Sequence, residues 1–164
     1  MDYNPYYEDG YDERQMGMMG MGMMGMGMMG VSAGDLLLIP DIQTAVILEV
    51  QAFNYYRRLI VLALNEQQRQ IIASIQRDEM MHYHWFTMML RMLGAQQPLI
   101  PPGELPMQFI EGVREAVRLE YEAATFYQTI ANRATAPFIR MHTFRAIYDE
   151  QRHAALLQNI LMSL

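Results

Sequence analysis

Two sets of residues carry the most pointed chemistry of this chain. Glu49 is followed, after 28 intervening residues, by Asp78-Glu79-Met80-Met81-His82; Glu120 is followed, after the same interval, by Asp149-Glu150-Gln151-Arg152-His153. A glutamate and a histidine three apart lie on one face of a helix, so Glu79/His82 and Glu150/His153 can each grip one ion. Carboxylate and imidazole donors suit iron or manganese, whereas softer ions prefer sulfur. Four buried carboxylates without counter-charge would repel one another and take up protons. Two divalent ions and two neutral histidines make the set formally neutral. The expected cofactor is a pair of divalent metals, iron first, with manganese or a mixed pair as alternatives.

Neighbouring residues fill in the expectation. Asp78 and Asp149 sit beside the candidate ligands, where a carboxylate can fix a histidine tautomer. Tyr56 and Tyr127 lie seven residues beyond Glu49 and Glu120 on the same helix faces, which suits a redox or hydrogen-bonding role near the metals. The competing reading makes them core tyrosines with satisfied hydroxyls. His84 and His142 read as structural. Met80, Met81, Met88, Met89 and Met92, with Trp85 and Phe86, read as packing residues rather than ligands.

Four helical segments must hold these groups. The first spans about 41–64. Asn65 caps the second, with Gln68 as its capping-box partner, and Gly94 stands where a terminating glycine belongs. A connector containing Pro98, Pro101 and Pro102 follows. The third helix runs from about 104 or 106 to 134. Thr135 is the expected cap of the fourth, with Pro137 in its first turn. Strand and hairpin signals are missing, so the class is all-α, a four-helix bundle.

Sliding the chain along itself at an offset of 71 gives 13 identities in 49 ungapped positions, including Glu49 on Glu120, Ala52 on Ala123, Tyr56 on Tyr127, Asp78-Glu79 on Asp149-Glu150, and His82 on His153. The bundle therefore reads as two copies of one helical hairpin. Glu49 and Glu79 lie about equally far from the first hairpin turn, each roughly 20 Å at ~1.5 Å per residue. Glu120 and Glu150 are related alike across the second turn. Four carboxylates and two imidazoles should converge at mid-bundle. A tight link between the second and third helices and a long crossover both satisfy this spacing.

Together these residues resemble the ferritin-like superfamily, and within it the rubrerythrin-type and related dimetal-carboxylate proteins. The resemblance covers about residues 36–164. It implies that Glu79 and Glu150 bridge two metals, while Glu49 and Glu120 bind terminally with one histidine on each ion. It also implies a crossover that makes the second and third helices parallel. Rubrerythrins carry a seventh carboxylate three residues beyond the third-helix ligand; here that place is Ala123, and Glu122 points elsewhere. They also carry a four-cysteine module, which this chain does not have.

Composition bounds the rest. With no cysteine in 164 residues there is no disulfide, thiolate metal site or thiol nucleophile, so electrons must come from an external donor. The net charge of −6 argues against nucleic acid as a partner. The most apolar stretch, 45–64, contains Glu49, Arg57 and Arg58 and does not read as a membrane span. Ten of the 18 methionines fall in residues 1–34, a low-complexity segment of tyrosines, acids and a methionine–glycine repeat. It reads as a mobile tail rather than a secretory signal. A partner-binding arm is its leading role, ahead of thioether copper(I) binding or a peroxide sink. Residues 35–164 form the bundle, and the location expected is the cytoplasm.

The functional expectation is a dimetal redox enzyme acting on dioxygen or peroxide, of ferroxidase or peroxide-scavenging type. No sequence feature marks a pocket for an organic substrate. The alternative is a metal-storing or structural component of a homo-oligomer or larger assembly, anchored by the tail.

Overall fold

The computed structural model describes residues 31–164. Among them are five helices and no strand: α1 (Ala33–Leu36), α2 (Ile39–Leu62), α3 (Glu66–Met92), α4 (Phe109–Arg133) and α5 (Pro137–Met162). The last four are the expected bundle, and α1 is one further turn ahead of it. The expectations for the methionine–glycine repeat fall in residues 1–30, which lie outside the described residues.

Local chemistry accounts for both ends of α3. Asn65 accepts from the Gln68 amide at 2.9 Å, while the Gln68 side chain accepts from Leu64, one residue beyond the cap. Gly94 adopts φ +69°, a conformation glycine enters without penalty. Its amide donates to Arg91 and that of Ala95 to Leu90, the double closure of a Schellman end.

The start of α5 departs from expectation. Thr135 does not cap it. Instead Asp35 of α1 accepts from the Thr135 amide at 2.7 Å, the Thr135 hydroxyl at 2.6 Å and the Ala136 amide at 3.2 Å. The two amides just ahead of α5 are thus satisfied from a point 100 residues earlier. Ser32 completes the clasp through its amide and hydroxyl on the same carboxylate.

Pairings across the bundle fix the topology. Between α2 and α4, Asp41 meets Arg133, Glu49 meets Tyr127, and Tyr55 donates to the Gly112 carbonyl, so these helices are antiparallel. Between α3 and α5, Asp78 meets Arg152 and Trp85 meets His142, which is antiparallel again. With α2 and α3 forming a hairpin, α3 and α4 must run parallel, joined by a crossover. That connector follows α2: Gln43, Gln51 and Arg58 donate in turn to the carbonyls of Gln96, Pro101 and Pro106. Gly112 permits its return, because a Cβ there would lie 2.7 Å from Pro106 and 2.8 Å from Leu59.

Two apolar cores fill the ends of the bundle. One gathers Leu38, Ile42, Phe86, Met89, Tyr127, Ile130 and Ile139. The other gathers Tyr56, Leu59, Ile72, Ile75, Val113 and Leu157. Between them lies a polar layer. Met89 packs as expected, Met80, Met88 and Met92 are half-buried, and Met81 is 48 % exposed. Among the described residues no helix is long and apolar enough to cross a membrane.

Candidate metal centre

The polar layer is built from one short segment of each long helix. Glu49 comes from α2, Glu79 and His82 from α3, Glu120 from α4, and Glu150 and His153 from α5. All six are 4 % exposed or less. The structure thus brings together every residue of the two sequence sets. They form two quartets: Glu49, Glu79, His82 and Glu150, and Glu79, Glu120, Glu150 and His153. In each, one ligand atom per residue lies within 4.8 Å of the others, and Glu79 and Glu150 belong to both. Donors ~2.0–2.2 Å from a shared ion lie at most roughly 4.4 Å apart, so a shift of a few tenths of an ångström would close either quartet on an ion.

Both imidazoles turn Nδ1 inward. His82 Nδ1 is 3.1 Å from Glu150 and 3.7 Å from Glu49 and Glu79. His153 Nδ1 is 3.1 Å from Glu150, 3.2 Å from Glu79 and 3.4 Å from Glu120. Around so few protons the carboxylate oxygens cannot all be served. Glu79 Oε1, Glu150 Oε1 and both nitrogens of His82 are buried without a hydrogen-bond partner. Orphaned buried donors and acceptors are costly, and cations placed in each quartet would satisfy this surplus of lone pairs.

Protonation follows the same logic. Burial first, then the charges of Glu79 and Glu150, push the Glu120 carboxyl well above its usual range. Glu49 is likewise raised by burial and by Glu150, against the pull of His82. Burial opposes charge on the histidines too, but the surrounding carboxylates prevail and raise both. The same histidines outweigh burial at Glu79 and Glu150 and hold them low. A protein cavity with this distribution demands positive charge.

A second ring of contacts orients the first. Tyr127 donates to Glu49 at 2.5 Å and Tyr56 donates to Glu120, so each phenol reaches the glutamate of the other repeat rather than its own. Asp149 faces His82 Nε2 at 3.5 Å, and Asp78 faces His153 Nε2 at 3.2 Å. These contacts also cross between repeats. Arg152 ties the two aspartates together, at 2.6 Å from Asp78 and 3.2 Å from Asp149, and Arg145 holds Asp149 at 2.8 Å. Burial would raise Asp149, but His82 and Arg145 hold it at about 2.

Sequence reasoning missed the two arginines. The available signal was an asymmetry, since Arg152 occupies the place of Met81 in the first repeat. Trp85 packs against His82 with ring centroids 5.4 Å apart and continues to His142 at 5.2 Å. His142 Nδ1 lies 2.9 Å from the Phe138 carbonyl, and His84 packs edge-on against Tyr83. Neither enters the cluster. Opposite the arginines, between α2 and α4, a cavity of about 390 Å³ descends to Glu49, Glu79, Glu120 and Glu150.

No protein-family model matches the chain. Over 130 residues it is 31 % identical to the uncharacterized protein YhjR of Bacillus subtilis, covering 78 % of this chain and 89 % of that protein. Its fold matches the dodecameric thioferritin of Bacteroides fragilis, a bacterioferritin-related protein, with a TM-score of 0.71 at 18 % identity over 77 % of this chain and 84 % of that one. A conserved hypothetical protein of Mycobacterium tuberculosis matches with a TM-score of 0.69 at 19 % identity, over 76 % and 90 % of the respective chains. The chain belongs to the same family as YhjR and has the ferritin-like four-helix fold.

Proposed function

We propose that this protein is a dimetal-carboxylate redox protein that turns over dioxygen or peroxide, in the manner of a ferroxidase or peroxide scavenger. The observation that carries this reading is the pair of overlapping quartets sharing Glu79 and Glu150, with their unpartnered buried atoms. Glu79 and Glu150, which belong to both quartets, would contribute to holding both ions, Glu49 with His82 to one and Glu120 with His153 to the other. Hard oxygen donors with two imidazoles suit iron, then manganese or a mixed pair. A pair of ferrous ions held there would supply two electrons, enough to take dioxygen to peroxide or peroxide to water with two protons, and an external donor would have to restore them.

The chain's own groups do the positioning. Tyr56 and Tyr127 hold the terminal glutamates, and burial, then the neighbouring carboxylates, keeps both phenols protonated as donors. Asp78, 3.2 Å from His153 Nε2, and Asp149, 3.5 Å from His82 Nε2, stand where a carboxylate favours the tautomer that leaves Nδ1 for the metal. The two apolar cores close the ligand layer toward both ends of the bundle.

Anaerobic titration with Fe(II), followed by dioxygen or peroxide, tests the reading. Two irons should bind per chain and oxidise with consumption of the oxidant, followed by ultraviolet absorption and an oxygen electrode. Glu79→Ala and Glu150→Ala should each abolish binding of the pair. Retention of both ions would sink the assignment.

The second reading, a storage or structural component, draws support from the dodecameric assembly of the thioferritin, and a homo-oligomer in the cytoplasm suits either reading. Two tightly held metals that no oxidant alters would favour storage.

A further inference from the structure

We infer that the cavity between α2 and α4 is a binding site for an uncharged organic molecule with an apolar body, seated against the metal pair. The inference rests on the dimetal reading only for what lies at the floor. Its walls are matched pairs from the two repeats: Leu48 with Leu119, Ala52 with Ala123, and Tyr55 with Phe126, each pair related by the same offset of 71. The pocket therefore straddles the pseudo-two-fold axis and presents both quartets alike. The opposite face, between α3 and α5, is closed by Trp85 and the Asp78–Arg152–Asp149 bridge.

Size and lining argue for an organic occupant. Dioxygen, peroxide and water need little room, whereas about 390 Å³ equals roughly a dozen waters at ~30 Å³ each. It falls within the roughly 300–1,000 Å³ of small-molecule sites, whose walls are likewise mostly apolar. Two alanines leave room for it. Ala52 and Ala123 each stand one turn beyond a terminal glutamate and line the cavity, so a longer side chain at either would take up part of it. The mouth argues against a charged ligand. Arg118 is engaged by Glu115 and Glu122, and Glu104 adds a further negative charge, so an anion finds no free partner. A cation would leave water for apolar walls, and the acids at the floor are already committed to the metal pair.

The test uses the full chain loaded with Mn(II), titrated calorimetrically with straight-chain primary alcohols from butanol to decanol. Each added methylene should tighten binding roughly fourfold until the chain outgrows the pocket, after which affinity should level off. Ala123→Leu should weaken binding at least tenfold. Leu119→Trp, at a 39 % exposed position on the mouth where the fold is not at stake, should weaken it as well. Both variants should still bind two metals. Affinity independent of chain length, or unchanged in both variants, overturns the inference. Two bound metals with no uptake of alcohol would overturn the pocket and leave the metal centre standing. Chain-length-dependent uptake by protein that binds no metal would uphold the pocket and overturn the centre.

Discussion

Tyr127 donates its hydroxyl hydrogen to Glu49 at 2.5 Å across the α2–α4 face, and Tyr56 repeats the contact on Glu120. Each terminal glutamate is therefore oriented by the opposite repeat. The bond occupies one carboxylate oxygen and frees the other for an ion. Tyr127→Phe should weaken the ion at Glu49 and His82 by about ten- to a hundredfold and spare the other, with Tyr56→Phe doing the converse. Competition against a chelator of known affinity should resolve one weakened and one ordinary site. Two unaltered sites in both variants would remove the phenols from the metal centre.

The histidines are held in the same crossed fashion, but by unequal supports. Asp149 is nearly buried and answers to Arg145, Arg152 and His82, whereas the Asp78 side chain is 33 % exposed. Asp149→Asn should cost metal affinity about ten- to a hundredfold at His82 and also lower the melting temperature, because Arg145 loses its charge partner and Arg152 keeps only Asp78. Asp78→Asn should affect the ion at His153 with a smaller loss of stability. Metal competition and calorimetry on the two variants would show whether affinity and stability separate in this way.

The helices and the convergence of the six site residues were legible because one device encodes both. A hairpin that sets the same interval between Glu49 and Asp78 as between Glu120 and Asp149, used twice at an offset of 71, fixes the periodicity and the level of the carboxylates together. The crossover was not legible from spacing, since Glu79 and Glu120 come level under either topology. It becomes evident only in pairs such as Asp41–Arg133 that connect distant helices. At Thr135 the local signal misled, because the hydroxyl that would cap the helix donates instead to a carboxylate 100 residues away. Asp35 itself carries no local signal, as it follows directly on a glycine-rich segment. The cavity escaped for another reason: it consists of side-chain volume that Ala52 and Ala123 do not supply, and missing atoms make no motif.

The Asp35 clasp gives a stability prediction away from the metals. Asp35 is fully buried and accepts from Ser32, Thr135 and Ala136. Burial alone would raise its carboxyl, but these hydrogen bonds outweigh it and hold the group well below the usual range. Asp35→Ala strands several donors at the head of α5. The expected cost is about 2–4 kcal/mol, combining a lost cap with unsatisfied buried amides. Denaturant unfolding at neutral pH should show the loss with little change in metal stoichiometry. A cost under about 0.5 kcal/mol, less than a single helix cap contributes, would mean that water replaces the clasp.

Metal removal should invert the dependence of stability on pH. In the metal-free protein Glu49 and Glu120 are raised above 4.5, and His82 and His153 above 6.5. Groups raised by folding contribute stability that is fully present below their unfolded values and lost as pH climbs through the folded ones. Glu79, Glu150, Asp78 and Asp149 are lowered, so their contribution is present above the ordinary carboxylate range and lost as pH falls through their folded values. The two trends leave a maximum near pH 4.5 for the metal-free chain, with stability declining from there toward alkaline pH, more steeply once the histidines add their loss above about 6.5. With both ions bound, protons become competitors for the ligands, and the maximum should move to neutral pH or above. Scanning calorimetry of both forms across this range would display the crossing, and a metal-free protein more stable at pH 8 than at pH 5.5 would contradict it.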